Sequence, residues 1–117
     1  MLFRSAAALA ARADARGATA VPLLTADGDR AGRMVVAADG HAYLVWSTPP
    51  AAAAGSRTYQ LWELTPAGPR SAGLLGGDVA DHEFRVGADA TAVAVTLEPR
   101  GGSPEPTGTP VVTARLA

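Results

Sequence analysis

The sequence predicts an all-β domain, an antiparallel sandwich of about seven or eight short strands with an immunoglobulin-like look. Three observations carry this. Apolar residues recur with the two-residue period of a strand over most of residues 18–117. Turn signals, either Asp-Gly or clusters of Pro and Gly, interrupt them about every eight to twelve residues. A chain of 117 residues is a single domain at most, long enough to bury a core without staples. A closed barrel is the alternative.

The elements follow in order. Residues 1–17 form an N-terminal stalk or short helix: Ser5 to Arg16 is Ala-rich with Arg and Asp interspersed. Leu2-Phe3-Arg4-Ser5 is also what the end of a common sequencing adapter encodes in one reading frame, so residues 1–5 read either as an assembly artefact or as an ordinary start. Residues 18–117 form the sandwich. "ATAVPLLTA" ends at Asp27-Gly28 and "RMVVAA" at Asp39-Gly40, both hairpin signals, and "HAYLVWS" follows. These three strands predict a meander. Pro49 and Pro50 in "TPPAAAAG" cannot donate to a ladder, so a loop crosses here to another part of the sheet.

"TYQLWEL" is the next strand, with Gln60, Trp62 and Leu64 on one face and Tyr59, Leu61 and Glu63 on the other. Both faces are partly apolar, as expected of a strand covered on both sides. After the turn "TPAGP", "RSAGLLG" is a short strand. "HEFRV" then places His82, Phe84 and Val86 inward. "TAVAVTL" sets Val93, Val95 and Leu97 against small Ala92 and Ala94, and "VVTARL" points Val112, Ala114 and Leu116 inward. Between the last two strands lies "EPRGGSPEPTGTP", Glu98 to Pro110, with four prolines and three glycines. Prolines favour extended geometry, and Gly101-Gly102 permits a sharp change of direction. The expectation is a stiff connector that carries the chain from one sheet to the other.

Composition excludes several functions. There is no cysteine, hence no disulfide and no thiolate metal site. The net charge of −1 argues against a nucleic-acid or anionic membrane surface. Lys, Asn and Ile are absent and every basic residue is Arg, a codon bias that points to a high-GC bacterium. No apolar run reaches the roughly 18 residues of a membrane span.

The search for chemistry yields near misses. Asp27-Gly28-Asp29 begins like a calcium loop, but Ala31 and Ala38 stand where oxygen ligands belong. Around Ser71, Pro69 replaces the Gly of a nucleophile elbow. His41 and His82 lack metal-ligand spacing. Asp78, Asp81 and Glu83 read as a solvated acidic loop. Trp46 and Trp62 would make a sugar-stacking platform if exposed, but both sit inside apolar strands and read as core. The chain is expected to carry no catalytic residue, no metal site and no cofactor.

The blocks Tyr59-Gln60-Leu61-Trp62, Gly73, and Val95-Thr96-Leu97-Glu98-Pro99 with Gly101-Gly102-Ser103 and Pro106-Thr107-Gly108 resemble a known family. It is the C-terminal, extracytoplasmic domain of anti-sigma-K factors of the RskA type, and the likeness runs from about Ala18 to Ala117. Glu63 departs from the apolar residue usual after that Trp, and should lie at a strand end or near solvent. The resemblance implies a non-enzymatic sensor on the outer side of the cell membrane. Family members grip their sigma factor with an N-terminal zinc-associated His/Cys domain followed by one membrane helix, parts absent from these residues. Their partners are membrane and intramembrane proteases, whose cuts release sigma; the signal itself is unknown. A free-standing sandwich binding carbohydrate or peptide is the alternative.

Overall fold

The computed structural model describes residues 5–116. It contains one helix, α1 (Ala6–Ala15), and eight strands: β1 (Thr19–Leu24), β2 (Arg30–Val36), β3 (His41–Trp46), β4 (Arg57–Thr65), β5 (Gly68–Gly76), β6 (His82–Arg85), β7 (Ala92–Pro99) and β8 (Val112–Arg115). All pairings are antiparallel, in the order β5-β4-β7-β8-β1-β2-β3-β6. The expected all-β architecture is present, and so are the meander of β1, β2 and β3 and its two Asp-Gly hairpins. Those turns close through Gly28 N to Thr25 O (2.9 Å) and Gly40 N to Ala37 O (3.0 Å).

The eight strands form one sheet folded on itself. Its two halves meet at a narrow seam, where β1 and β8 share the single pair Leu24 and Thr113. Pro22, in β1, has no N–H to lend to a longer ladder. The halves pack face to face, with Leu23, Met34 and Leu44 from one side and Tyr59, Leu61, Val93, Val95 and Val112 from the other in one buried cluster. Val and Leu thus do most of the filling, as the scarcity of aromatics requires.

Each half is also covered on its outside. The stretch expected as helix or frayed stalk is a helix over residues 6–15. Ser5 caps it, accepting from Ala8 N at 3.1 Å. Ala10 packs on Val35 and Tyr43, the residues of β2 and β3 that face away from the main core. The Arg33–Asp14 pair (3.3 Å) adds a tie. Of the doubtful residues 1–5, the first four lie outside the described residues.

The other outer face is covered by the segment after β7, and here one expectation fails. Residues 98–110 do not cross between sheets. The strands they join, β7 and β8, are neighbours in the same half, with Val95 opposite Val112 and Ala92 opposite Arg115. The connector is a long hairpin loop folded back over β4 and β7. Cross-strand pairing between residues far apart in sequence decides its destination.

Candidate functional site

Strand alternation places Thr58, Gln60 and Trp62 of β4, and Ala94, Thr96 and Glu98 of β7, on the outer face. All six are buried, with Trp62 and Glu98 fully so at 0% exposure. Two polar anchors fasten the connector to this face. Gln60 Oε1 accepts from Ser103 N at 2.9 Å, while its Nε2 donates to Ser103 O (3.1 Å) and to Ser71 Oγ of β5 (2.8 Å). The second anchor is Glu98. Its Oε1 accepts from Thr107 Oγ1 at 2.6 Å, and its Oε2 accepts from Thr107 N at 3.1 Å and Thr96 Oγ1 at 2.5 Å. The chain of bonds runs inward, since Thr96 Oγ1 in turn accepts from Trp62 Nε1 at 2.8 Å.

A lone carboxylate removed from water is costly, so its partners must outweigh the loss. Burial pushes the Glu98 carboxyl up; the Thr107 and Thr96 hydroxyls, the Thr107 amide and the Ser103 hydroxyl act the other way and hold it down at about 2. The group is an anion, answered entirely by neutral donors from β7 and the connector.

The motif residues therefore divide. Gln60, Glu98, Ser103 and Thr107 meet in one lock, with Trp62 beneath it. Tyr59 and Leu61 belong to the main core. Gly73 pairs with Leu61 across β4 and β5. Pro99, Gly101, Gly102, Pro106 and Gly108 shape the connector, which turns where Gly102 N donates to Pro99 O (2.9 Å). Sequence reading set Ser71 aside as a failed nucleophile elbow and gave Thr96 no part of its own; strand parity is the signal that places both on the face shared by Gln60 and Glu98.

The two adjacent glycines differ in a testable way. Both hold positive φ, 92° at Gly101 and 85° at Gly102. A Cβ on Gly101 meets nothing within 4 Å, whereas one on Gly102 falls 2.7 Å from Leu74 Cδ2 and 3.1 Å from Gln60 Oε1. Gly101→Ala should cost about 1–2 kcal/mol from backbone strain alone. Gly102→Ala should cost about 2–3 kcal/mol, strain plus overpacking. Urea unfolding of the two variants checks this; equal losses would mean that the connector is not seated on Gln60.

Glu63 departs from expectation. It lies neither at a strand end nor in solvent: it is inside β4 and 7% exposed. Its register partner Arg70 meets it at 3.2 Å and 3.3 Å, and Gly87 N donates to Oε1 at 2.5 Å. Arg70 also holds Asp89 at 2.9 Å, drawing that carboxyl below its usual range. Paired charges and a backbone donor make the burial tolerable. The result is a clasp between the β4–β5 hairpin and the loop before β7.

The remaining candidates are structural. Trp62 is wholly inside and has no face to offer a sugar; Trp46 is half-buried against the main core. Asp81, read as part of a solvated loop, accepts from Trp46 N at 2.8 Å, and Val79 beside it is buried in the core. His82 stacks on Phe84 at 6.2 Å, and burial lowers its pKa. His41 Nδ1 lies 3.0 Å from Asp39. Among the described residues no three His, Asp or Glu side chains converge as a metal site, and no helix is long and apolar enough to cross a membrane.

A family model described as "Anti-sigma-K factor rskA, C-terminal" matches residues 3–111, a span that takes in α1 and seven strands. No curated protein and no solved structure matches the chain. With that match over nearly its whole length, the chain belongs to the family of C-terminal domains of the anti-sigma-K factor RskA.

Proposed function

We propose that this domain is the extracytoplasmic regulatory half of a membrane-anchored anti-sigma factor, acting without catalysis as a gate on sigma-factor release by regulated proteolysis. In this reading the grip on the sigma factor belongs to an N-terminal zinc-associated domain outside these residues, joined through a membrane helix. Membrane and intramembrane proteases act on the full-length protein, and nucleic acid is not a partner. One observation supports it above others: the residues that carry the family motif are fastened to each other. Gln60, Glu98, Ser103 and Thr107 spend their hydrogen bonds inside the fold. Such residues preserve a folded state rather than read a ligand.

A gate of this kind works through stability. When local opening is fast relative to cleavage, the cleavage rate follows the open population, and each 1.4 kcal/mol of destabilisation raises it about tenfold. The test uses the full-length protein in its host with a sigma-dependent reporter. Basal output should rise in the order wild type, Gly101→Ala, Gly102→Ala, tracking the unfolding free energy of each isolated domain. Unchanged output from clearly destabilised domains would refute stability gating.

A further inference from the structure

Histidine is the side chain that ordinarily changes charge in mildly acid water, and the two in this chain stand in different company. His41 has Asp39 Oδ2 3.0 Å from its Nδ1 and Arg85 Nη1 3.4 Å from both ring nitrogens. Among the described residues it is the one histidine ion-paired with a carboxylate. His82 opens β6 on the side that faces the interior. It is half-buried, its register partner Leu44 is fully buried, and its ring stacks on Phe84 with centroids 6.2 Å apart and planes 20° apart.

The surroundings offer little to a proton on that ring. Glu83 follows it on the strand and so points to the opposite face. Asp81, just before it, accepts from Trp46 N at 2.8 Å, and Asp78 of the same loop is exposed. On β3, the strand paired with β6, the ionisable groups are His41, at the other end opposite Arg85, and Tyr43, which packs toward α1. From the other half of the sandwich, Tyr59 gives its hydroxyl to Ala51 O (2.7 Å), and Glu63 is held near the far end of β6 by Arg70 and Gly87 N. The Phe84 ring lies at the limit of the roughly 6 Å within which a cation gains from an aromatic face. A charged imidazole here sits among apolar groups with no carboxylate on its own face. Burial accordingly lowers the His82 pKa, and Glu83 pulls the other way to a smaller extent.

Strand β6 is also the element best placed to yield. It is an edge strand of four residues, and its ladder runs to β3 alone. The loop before it is fastened by Val79 in the core and by the Asp81 bond to β3. Elements with so few partners open at lower cost than the whole domain.

We propose that His82 is an acid-sensitive latch, whose protonation loosens β6 and the loop 77–81 from β3 and so weakens the domain. The unfolded chain keeps the ordinary histidine value of 6.5, so it takes up the proton before the folded one does. The penalty is absent above 6.5 and grows as pH falls from there through the lower folded value. That window lies far above the value of about 2 at which Glu98 is held, so acid reaches the latch while the lock stays shut. As a signal to the gate, the latch rests on the regulatory reading above; as a property of the domain, it does not.

The test is urea unfolding of the whole chain from about pH 7.5 to about pH 5, beside His82→Gln, which stays polar and does not titrate there. Wild type should lose folded population relative to His82→Gln by a factor of about two or more across that range, and tenfold for each unit by which the fold lowers the pKa. Hydrogen exchange gives a second reading on the wild-type chain alone: the amides of Glu83, Phe84 and Arg85 should lose protection on acidification relative to those of β4. Parallel pH curves for the two proteins would overturn the proposal. So would loss of the pH dependence in His41→Gln but not in His82→Gln, or β6 amides whose protection relative to β4 does not change. The sigma-dependent reporter, read at the same pH values in the full-length protein, tests the gate separately: flat output over a domain that loosens sinks the gating reading and leaves the latch standing.

Discussion

Trp62→Ala is expected to destabilise the domain by about 3–5 kcal/mol, the usual loss for a large aromatic removed from a packed site. The side chain is 0% exposed, and it lies not in the core between the two halves but beneath the connector. The substitution therefore empties the site under the lock and deprives Thr96 Oγ1 of its Nε1 donor, 2.8 Å away. Thr96 is the residue that donates to Glu98, so the loss should couple to the anchor. A double-mutant cycle of Trp62→Phe with Thr96→Val isolates that term, because Phe keeps most of the volume and lacks the donor. Near-native stability of Trp62→Ala in urea unfolding would mean that the ring is not enclosed, and would return attention to a stacking surface.

How far the sequence revealed this arrangement depended on the range of the interactions. The two Asp-Gly hairpins were legible because four adjacent residues decide a turn. The two covered faces of β4 were legible from parity, Gln60 and Trp62 against Tyr59 and Leu61. What covers the outer face was not: the connector's route follows from β7 pairing with β8, a contact between residues far apart in the chain. Glu63 was misplaced because a charge on a strand reads as solvent-facing. Its burial depends on Arg70 across the hairpin and on the Gly87 amide from another loop. The docking of α1 gave little signal because its contact surface is largely alanine, Ala10 and Ala13 with Leu9. The lock itself was half visible: the motif named Gln60, Glu98, Ser103 and Thr107, but not that they would find each other.

Glu98→Ala should cost about 3 kcal/mol, since it strands the Thr107 amide and the Thr96 and Thr107 hydroxyls, and hydrogen bonds to a charged group are worth about 1.5–3 kcal/mol each before the recovered desolvation is set against them. Glu98→Gln keeps the shape but replaces an acceptor-only group with one that turns an NH₂ toward those donors, so it should lose somewhat less. The pair separates packing from charge through pH. The Glu98 carboxyl is lowered from its ordinary 4.5 to about 2 in the folded protein, so the unfolded chain takes up the proton first as pH falls. Its contribution is fully present above 4.5 and is lost as pH falls from there through about 2. Asp39 and Asp89 also titrate low, but they are common to both proteins and cancel in the difference. The stability gap between wild type and Glu98→Gln should therefore be constant near neutrality and shrink across that acid window, read by urea unfolding at a series of pH values. A gap that stayed constant down to about pH 2 would show that Glu98 is not held as a buried anion. Because the window lies so low, mild acidification leaves the carboxylate charged and the connector seated. An acid signal would have to act elsewhere on the domain, and the lock opens through loss of its partners rather than through its own protonation.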